Sequence, residues 1–435
     1  MGLTRPWLRR RLGVFDMYAL VHSDIQSTYY FLAGFIALYA GQYGFLGAAY
    51  GVLLMASIAL TYGEMGSRFP ETGGSYLYIK YSFGGLIAYF SAWLLAFDQI
   101  VMITYGTIDA AKIINKVLPD LGDEVFLAVV LTTALFILTI LGVRETAALA
   151  KTVAILDLGV MPTLITTAIL LNPAAPPFFN WGGVEAAGLF LAFSLLSRGF
   201  TGIDAIGQLA GEAKEPLVQV PKATILVITV GVFYGLGLMA AIMSALEPHE
   251  ITDPAVAPLL LAERIHPLFF YLVVVNIFLV MITASLAGFI SFSRMTYILS
   301  EEGLLPRTLA KLHKKFRTPY VALAIAYVVS LMLTIFGRVE IVLAIYAIGS
   351  LLNYILVAAA LAKASRSGTL HSAFKTPFIA NVPLSAWIAL ALLPIGLFLT
   401  LLEKYHYAWA LALWTALGGV MYFIRGRVER RIGER

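Results

Sequence analysis

Five ionisable residues lie in stretches of the chain that are otherwise almost wholly apolar: Asp24, Asp98, Asp157, Arg198 and Asp204. Placing a charge in hydrocarbon costs ~3 kcal/mol on insertion scales, so one that persists faces a cavity, a substrate, an ion or an opposite charge. Together the five point to a polar pathway through a membrane. Arg198 can offer a guanidinium fork to a carboxylate, or it can neutralise Asp24 or Asp157 in a buried pair. Glu64 and Asp109 fall near the ends of apolar stretches, where interfacial water is expected to solvate them. Covalent and metal chemistry lack the residues they need. The chain has no Cys, only His22 of its six histidines is clearly inside an apolar stretch, and there is no Gly-x-Ser-x-Gly elbow or His-Glu-x-x-His run. No catalytic residue, metal or cofactor is therefore expected.

The elements that must hold these residues follow from hydropathy. Of the 435 residues 60% are hydrophobic and 13% charged, where a soluble chain carries about 25% charge. That excludes a soluble enzyme and a disordered protein. A helix needs about 20 mainly apolar residues to cross the hydrocarbon core. Twelve such stretches are expected, at 13–40, 45–68, 84–117, 124–143, 147–171, 186–210, 223–246, 267–298, 319–337, 340–363, 383–403 and 407–425. Nothing between them is long enough for a soluble domain, and the N-terminus has no signal-peptide pattern, so a single multi-pass membrane domain spanning 1–435 is expected.

Orientation follows from Lys and Arg. Of the 30, 24 lie in or beside the N-terminal tail, the connections after even-numbered spans and the C-terminal tail; five lie in the opposite set, and Arg198 is inside a span. Positive segments stay cytoplasmic, so both termini are expected in the cytoplasm. The net charge of +5, with the run Arg9–Arg11 and the cluster Lys311, Lys314, Lys315 and Arg317, reads as a topology signal rather than a nucleic-acid surface.

Spans 1 and 6 carry a second irregularity. Residues His22-Ser23-Asp24-Ile25-Gln26-Ser27-Thr28 compete for backbone hydrogen bonds, and Ser197-Arg198-Gly199-Phe200-Thr201-Gly202 contains two glycines. Both runs are expected to unwind near mid-membrane. Paired interruptions at equivalent places in two halves mark a transporter binding site, and spans 1–5 and 6–10 would be inverted repeats. Half-helix N-termini suit a carboxylate and C-termini an ammonium or a metal cation, so an amino-acid-sized zwitterion fits.

Three motifs resemble the amino acid, polyamine and organocation superfamily of secondary transporters. They are Gly63-Glu64-Met65-Gly66-Ser67-Arg68-Phe69-Pro70-Glu71-Thr72-Gly73-Gly74-Ser75-Tyr76 after span 2, Phe200–Ala205 leading to Gly211-Glu212-Ala213-Lys214-Glu215-Pro216 and Pro221 after span 6, and Ser293-Arg294 with Ser300–Pro306 after span 8. The resemblance covers nearly the whole chain. It implies an all-α fold with a five-plus-five inverted-repeat core (13–171 and 186–363), broken helices 1 and 6, and two peripheral helices at 383–425. It also implies transport of amino acids or related amines across the plasma membrane by alternating access.

Residue roles follow from the same resemblance. Substrate contacts would come from Ser23, Asp24, Gln26, Ser27 and Thr28 in span 1, Arg198, Phe200, Thr201 and Gly202 in span 6, and Tyr105 in span 3. Gln26 and Thr28 stand where relatives have glycine, which favours a small substrate or one contacted directly by those side chains. Phe200 would be the aromatic lid. Asp157 occupies the place of a lysine that titrates in some proton-coupled relatives. It could carry a proton, help ligate sodium with Thr283 or Ser285, or be locked to Arg198. Asp204 is expected to hold the broken helix. Asp98, which with Trp93 matches a Trp-x-x-x-x-Asp spacing, would pack or line the pathway. A sodium symporter, an exchanger, and on the same fold a channel or a sensor, are the competing readings. Expected partners are thus an amino acid or amine, a proton or sodium ion, and lipid, without nucleic acid.

Overall fold

The computed structural model describes residues 10–69, 71, 73–172, 186–199, 202–336, 339–368 and 372–433, and within these it leaves aside the side chains at 42, 143–145, 186, 198, 199, 255, 339–346 and 425–433. The described chain is helical almost throughout. In order the helices are α1 (Val14–Ala40), α2 (Gly44–Gly66), α3 (Gly74–Phe83), α4 (Gly85–Val117), α5 (Glu124–Leu141), α6 (Val143–Leu171), α7 (Ala186–Gly199), α8 (Asp204–Gln208), α9 (Pro216–Ala245), α10 (Ala257–Ile265), α11 (Pro267–Glu301), α12 (Tyr320–Phe336), α13 (Val339–Ser367), α14 (Leu384–Lys404) and α15 (Ala408–Gly433). The short strands β1 (Phe378–Ile379) and β2 (Val382–Pro383) pair antiparallel around Ala380 and Asn381, both in left-handed conformation.

Among the described residues, eight helices are long and apolar enough to cross a membrane. Large apolar side chains such as Leu170, Phe336, Phe398 and Phe423 are exposed on the outside of the bundle, as lipid-facing residues must be. Helices satisfy their backbone internally, the condition for spanning hydrocarbon. The molecule is an all-α, multi-pass membrane protein. α1 falls outside the eight because the polar run 22–28 dilutes its hydropathy; it is sheltered from lipid instead, packing against α2, α6, α7, α9, α10 and α11.

Small residues permit the closest approaches. A Cβ at Gly106 of α4 would lie 2.2 Å from Ser285 Oγ of α11, and one at Gly288 of α11 would lie 2.8 Å from the Gln99 carbonyl of α4. These two helices therefore touch backbone to backbone.

The break expected in span 1 is not there: α1 is one helix across its 27 residues. Its polar residues fold inward on the helix instead of replacing it. Ser27 Oγ donates to the Asp24 carbonyl at 2.7 Å, Thr28 Oγ1 makes a longer contact with the same oxygen, and no glycine lies between 22 and 28. Such back-bonding bends a helix at most. In span 6 the interruption is present: α7 ends at Gly199, Gly202 has φ +92°, and helix resumes at Asp204.

Candidate functional site

Asp157 is the most densely bonded of the predicted residues. Fully buried on α6, its Oδ2 lies 2.8 Å from His22 Nε2 of α1, and its Oδ1 accepts from Asn276 Nδ2 of α11 at 2.6 Å and from the Tyr30 hydroxyl of α1. Tyr234 of α9 donates to its backbone carbonyl at 3.0 Å. Beyond His22 the chain of bonds continues to the Tyr18 hydroxyl, 2.8 Å from Nδ1. The carboxylate thus joins α6 to α1 and α11, and the backbone carbonyl of the same residue adds α9. None of its described partners is Arg198, whose side chain lies outside the described residues.

The second concentration of polar groups surrounds the span 6 interruption. A Cβ at Gly202 would stand 1.2 Å from Asp24 Oδ2, so α1 presses its aspartate onto bare backbone there. The Gly202 N–H donates to Asp204 Oδ1 at 3.2 Å, and Asp204 also accepts from Gln208 Nε2 (2.5 Å) and the Tyr354 hydroxyl of α13 (3.3 Å). Asp98 of α4 accepts from Ser350 of α13 at 2.7 Å and from Gln99 Nε2 at 3.0 Å. Asp204 thus bonds the Gly202 backbone within the interruption and Gln208 of α8, and α13 bonds Asp98 and Asp204 from Ser350 and Tyr354, one turn apart.

The other predicted residues divide between this region and elsewhere. Ser23 is buried and accepts from Thr283 Oγ1 of α11 at 2.5 Å; Ser285 turns its hydroxyl to its own helix at Met281. Gln26 is buried beside them on α1, whereas Ser27 and Thr28 are half-buried. Tyr105 packs in a separate apolar cluster with Phe97, Val101, Ala410 and Trp414, on the α15 side of α4. Phe200, Thr201 and the Arg198 side chain lie outside the described residues. Glu64 is not solvated as expected. It is fully buried, with Oε1 2.7 Å from Arg68 Nη2 and Oε2 accepting from the Thr376 N–H and hydroxyl at 3.0 and 2.9 Å.

The two ends of the bundle differ. At the end where α1 begins, buried Arg294 of α11 bonds Glu212 from Nε (2.8 Å) and Nη2 (3.3 Å), while the Glu212 carbonyl accepts the N–H groups of Arg11 and Leu12. Lys80 pairs with Glu302, and Gly74 lies against Gln208 so closely that a Cβ would meet it at 3.0 Å. Residues of all three sequence motifs meet at this end. At the opposite end a cleft of ≈ 510 Å³ is lined by Tyr30, Asp109, Lys112, Glu124, Asp253 and Ile277, among others. Asp109 therefore lines this cleft, and Tyr30 connects it to Asp157.

Residues 12–423 match the sequence model of the family described as amino acid permease. The chain belongs to the amino acid permease family. Its relatives include the branched-chain amino acid permease BcaP of Bacillus subtilis, 25% identical over 98% of this chain and 95% of that protein. Cationic amino acid transporter 4 of Mus musculus is 27% identical over 81% of this chain and 59% of its own length, and the glutamate/serine transporter AimA of Bacillus subtilis is 25% identical over 80% and 70%. This permease is an amino acid transporter and not an enzyme.

The residues that bond Asp157 directly escaped the sequence reading as site residues. His22 looked like a lone histidine, and Asn276, Tyr30 and Tyr234 are uncharged, so each is ordinary in a membrane helix. The available signal for His22 was its distance of two residues from Asp24 on a helix that otherwise had to be apolar.

Proposed function

We propose that this permease is a proton-coupled secondary transporter of amino acids or related amines in the plasma membrane, with Asp157 as the coupling group. The observation that carries this reading is the Asp157 carboxylate bonded at once to α1 and α11, with α9 bonded to its backbone. A deprotonated carboxylate only accepts hydrogen bonds, and a protonated one must also donate. Adding a proton therefore requires one neighbour to become an acceptor, His22 by changing tautomer or Tyr30 by turning its hydroxyl, while Asn276 Nδ2 can only donate. Proton binding and helix position are coupled through that rearrangement.

In this reading twelve spans are arranged as two inverted five-helix repeats (13–171 and 186–363) and two peripheral helices (383–425), with both termini cytoplasmic. The end where the motifs meet is then the cytoplasmic gate and the cleft by Tyr30 the outer mouth. Substrate passes from that mouth to the span 6 interruption. There Asp24, Ser23 and Gln26 from α1, with Ser27, Thr28 and the segment Arg198–Gly202, contact it, and Arg198 takes its carboxylate. Rocking of α1, α2, α7, α8 and α9 against α4, α5, α11 and α12 opens the other side. The names of the relatives, which span branched-chain, cationic and acidic or hydroxyl amino acids, favour amino acids over other solutes.

The test is uptake of labelled amino acids into proteoliposomes with and without an inward proton gradient, for the native protein and Asp157→Asn. The expected result is gradient-driven accumulation that the variant loses while keeping substrate exchange at equal pH. Full gradient-driven uptake by the variant would remove Asp157 from coupling, and acceleration by sodium alone would replace the proton.

A further inference from the structure

Among the described residues, the polar groups around the span 6 interruption have an excess of acceptors. Three buried carboxyl groups, Asp24, Asp98 and Asp204, lie within electrostatic reach of one another. Asp98 and Asp204 are each held by a glutamine amide, which leaves the carbonyl oxygens of Gln99 and Gln208 buried without a hydrogen-bond partner among the described residues. Gln26 Oε1 is in the same condition. Most telling is Asp24: its Oδ2 is buried, the residue is 4% exposed, and that oxygen has no partner among the described residues although it lies against the Gly202 backbone. A buried acceptor without a donor costs about 1–3 kcal/mol, more when charged.

Whatever completes such a site must bring donors and positive charge. A transition metal ion is a poor match, because among the described residues no three acidic or histidine side chains converge closely enough to hold one. An ammonium or guanidinium supplies several N–H donors at once and tolerates dispersed acceptors. A neutral apolar side chain would leave every one of these acceptors unsatisfied.

We infer that the substrate of this site is a cationic amino acid, its side-chain ammonium or guanidinium held by Asp24 beside Gly202 in the field of Asp98 and Asp204. The inference rests on the reading of the chain as an amino acid transporter and narrows its substrate. The acid on α1 is the selectivity element; Asp98 and Asp204 are anchored by α13 and set the field.

The decisive comparison is L-lysine against L-norleucine, which has the same carbon skeleton without the ammonium. Binding to the purified full chain is followed by the rise in melting temperature with ligand concentration, and transport by proteoliposome uptake. Lysine and arginine are expected to bind at least about tenfold more tightly than norleucine, the factor of one charge-assisted hydrogen bond. In Asp24→Asn that preference is expected to fall below about threefold, since the charge that distinguishes the two ligands is removed. Norleucine or leucine binding the native protein as tightly as lysine would overturn the inference and leave the transporter reading intact. Absence of binding and uptake for every amino acid would overturn the transporter reading itself. If Asp24→Asn does not fold, the lysine to norleucine ratio of the native protein decides alone.

Discussion

His22 and Asp157 face each other from α1 and α6 with Nε2 and Oδ2 2.8 Å apart, and neither side chain is exposed to solvent. The Tyr18 hydroxyl fixes the other ring nitrogen at 2.8 Å. When Tyr18 donates to Nδ1, the imidazole carries its proton on Nε2 and donates it to the carboxylate, so the tautomer is set by a residue one turn away. The pair is thus a buried acid and base held in register by the helix that also carries Asp24.

Replacing His22 separates its two roles. In His22→Gln the amide can still donate to Asp157 but cannot take a proton, and the expected outcome is a stable protein whose uptake depends less on the proton gradient. In His22→Leu the donor is lost as well, and stability should fall by about 1–3 kcal/mol for the carboxylate deprived of one partner. Melting temperature and gradient-driven uptake measured on both variants check this. Equal behaviour of the two would mean that His22 only fills space.

Gly202 is where backbone conformation and close packing coincide. Its φ of +92° is unfavourable for a residue with a Cβ, and that Cβ would overlap Asp24 Oδ2 at 1.2 Å. Gly202→Ala is therefore expected to abolish transport. Shortening the opposing side chain in Gly202→Ala with Asp24→Ala removes the overlap but leaves a conformational penalty of about 1 kcal/mol or more. The double variant should recover melting temperature toward that of Asp24→Ala alone. No recovery would show that the strain lies in the backbone and not against Asp24.

Much of the scaffold could be read in the chain because lipid imposes a simple rule: long apolar runs become helices, and a glycine pair such as Gly199 and Gly202 has little reason to stay helical. The prediction for span 1 failed for a reason of the same kind. Polarity at Ser27 and Thr28 looked like a cause of unwinding, yet short hydroxyl side chains can bond carbonyls of their own helix and leave its ladder in place. Charges in the membrane, Asp157 above all, were visible since each demands an explanation. Their partners were not, because Asn276 and Tyr234 acquire meaning only through contacts between helices distant in sequence. Short helices α3 and α10 also went unread, being too brief and too polar to stand out by hydropathy.

Glu64 on the last turn of α2 and Arg68 two residues beyond it form a buried pair, and among the described residues Arg68 Nε and Nη1 have no hydrogen-bond partner. Glu64 Oε2 also receives both donors of Thr376, which ties α2 to the segment after α13. Glu64→Gln leaves Arg68 charged and uncompensated, so a stability loss of about 3–5 kcal/mol is expected, seen as a lower melting temperature. Thr376→Val removes only one hydroxyl donor and should cost about 1 kcal/mol. A larger effect for Thr376→Val than for Glu64→Gln would show that the hydrogen bonds to Glu64, rather than its charge, hold this end together.

The Arg294–Glu212 pair bridges α11 to the segment after α8, with both side chains buried and two N–H donors directed at one carboxylate. Glu212 also binds the chain just before α1 through its carbonyl, so this one residue ties the start of α1 to α11. If α1 and α8 move relative to α11 during transport, this contact must break each cycle. Arg294→Met leaves a buried carboxylate unpaired and should destabilise the closed end by about 3–5 kcal/mol, shifting the population toward opening on that side. A cysteine introduced at Ser293 in this Cys-free protein should then react faster with a membrane-impermeant maleimide applied from the α1-start side. In Glu212→Arg with Arg294→Glu the charges are exchanged, and labelling should return toward the native rate. Unchanged labelling in Arg294→Met would show that packing around α8, and not this ion pair, keeps that end shut.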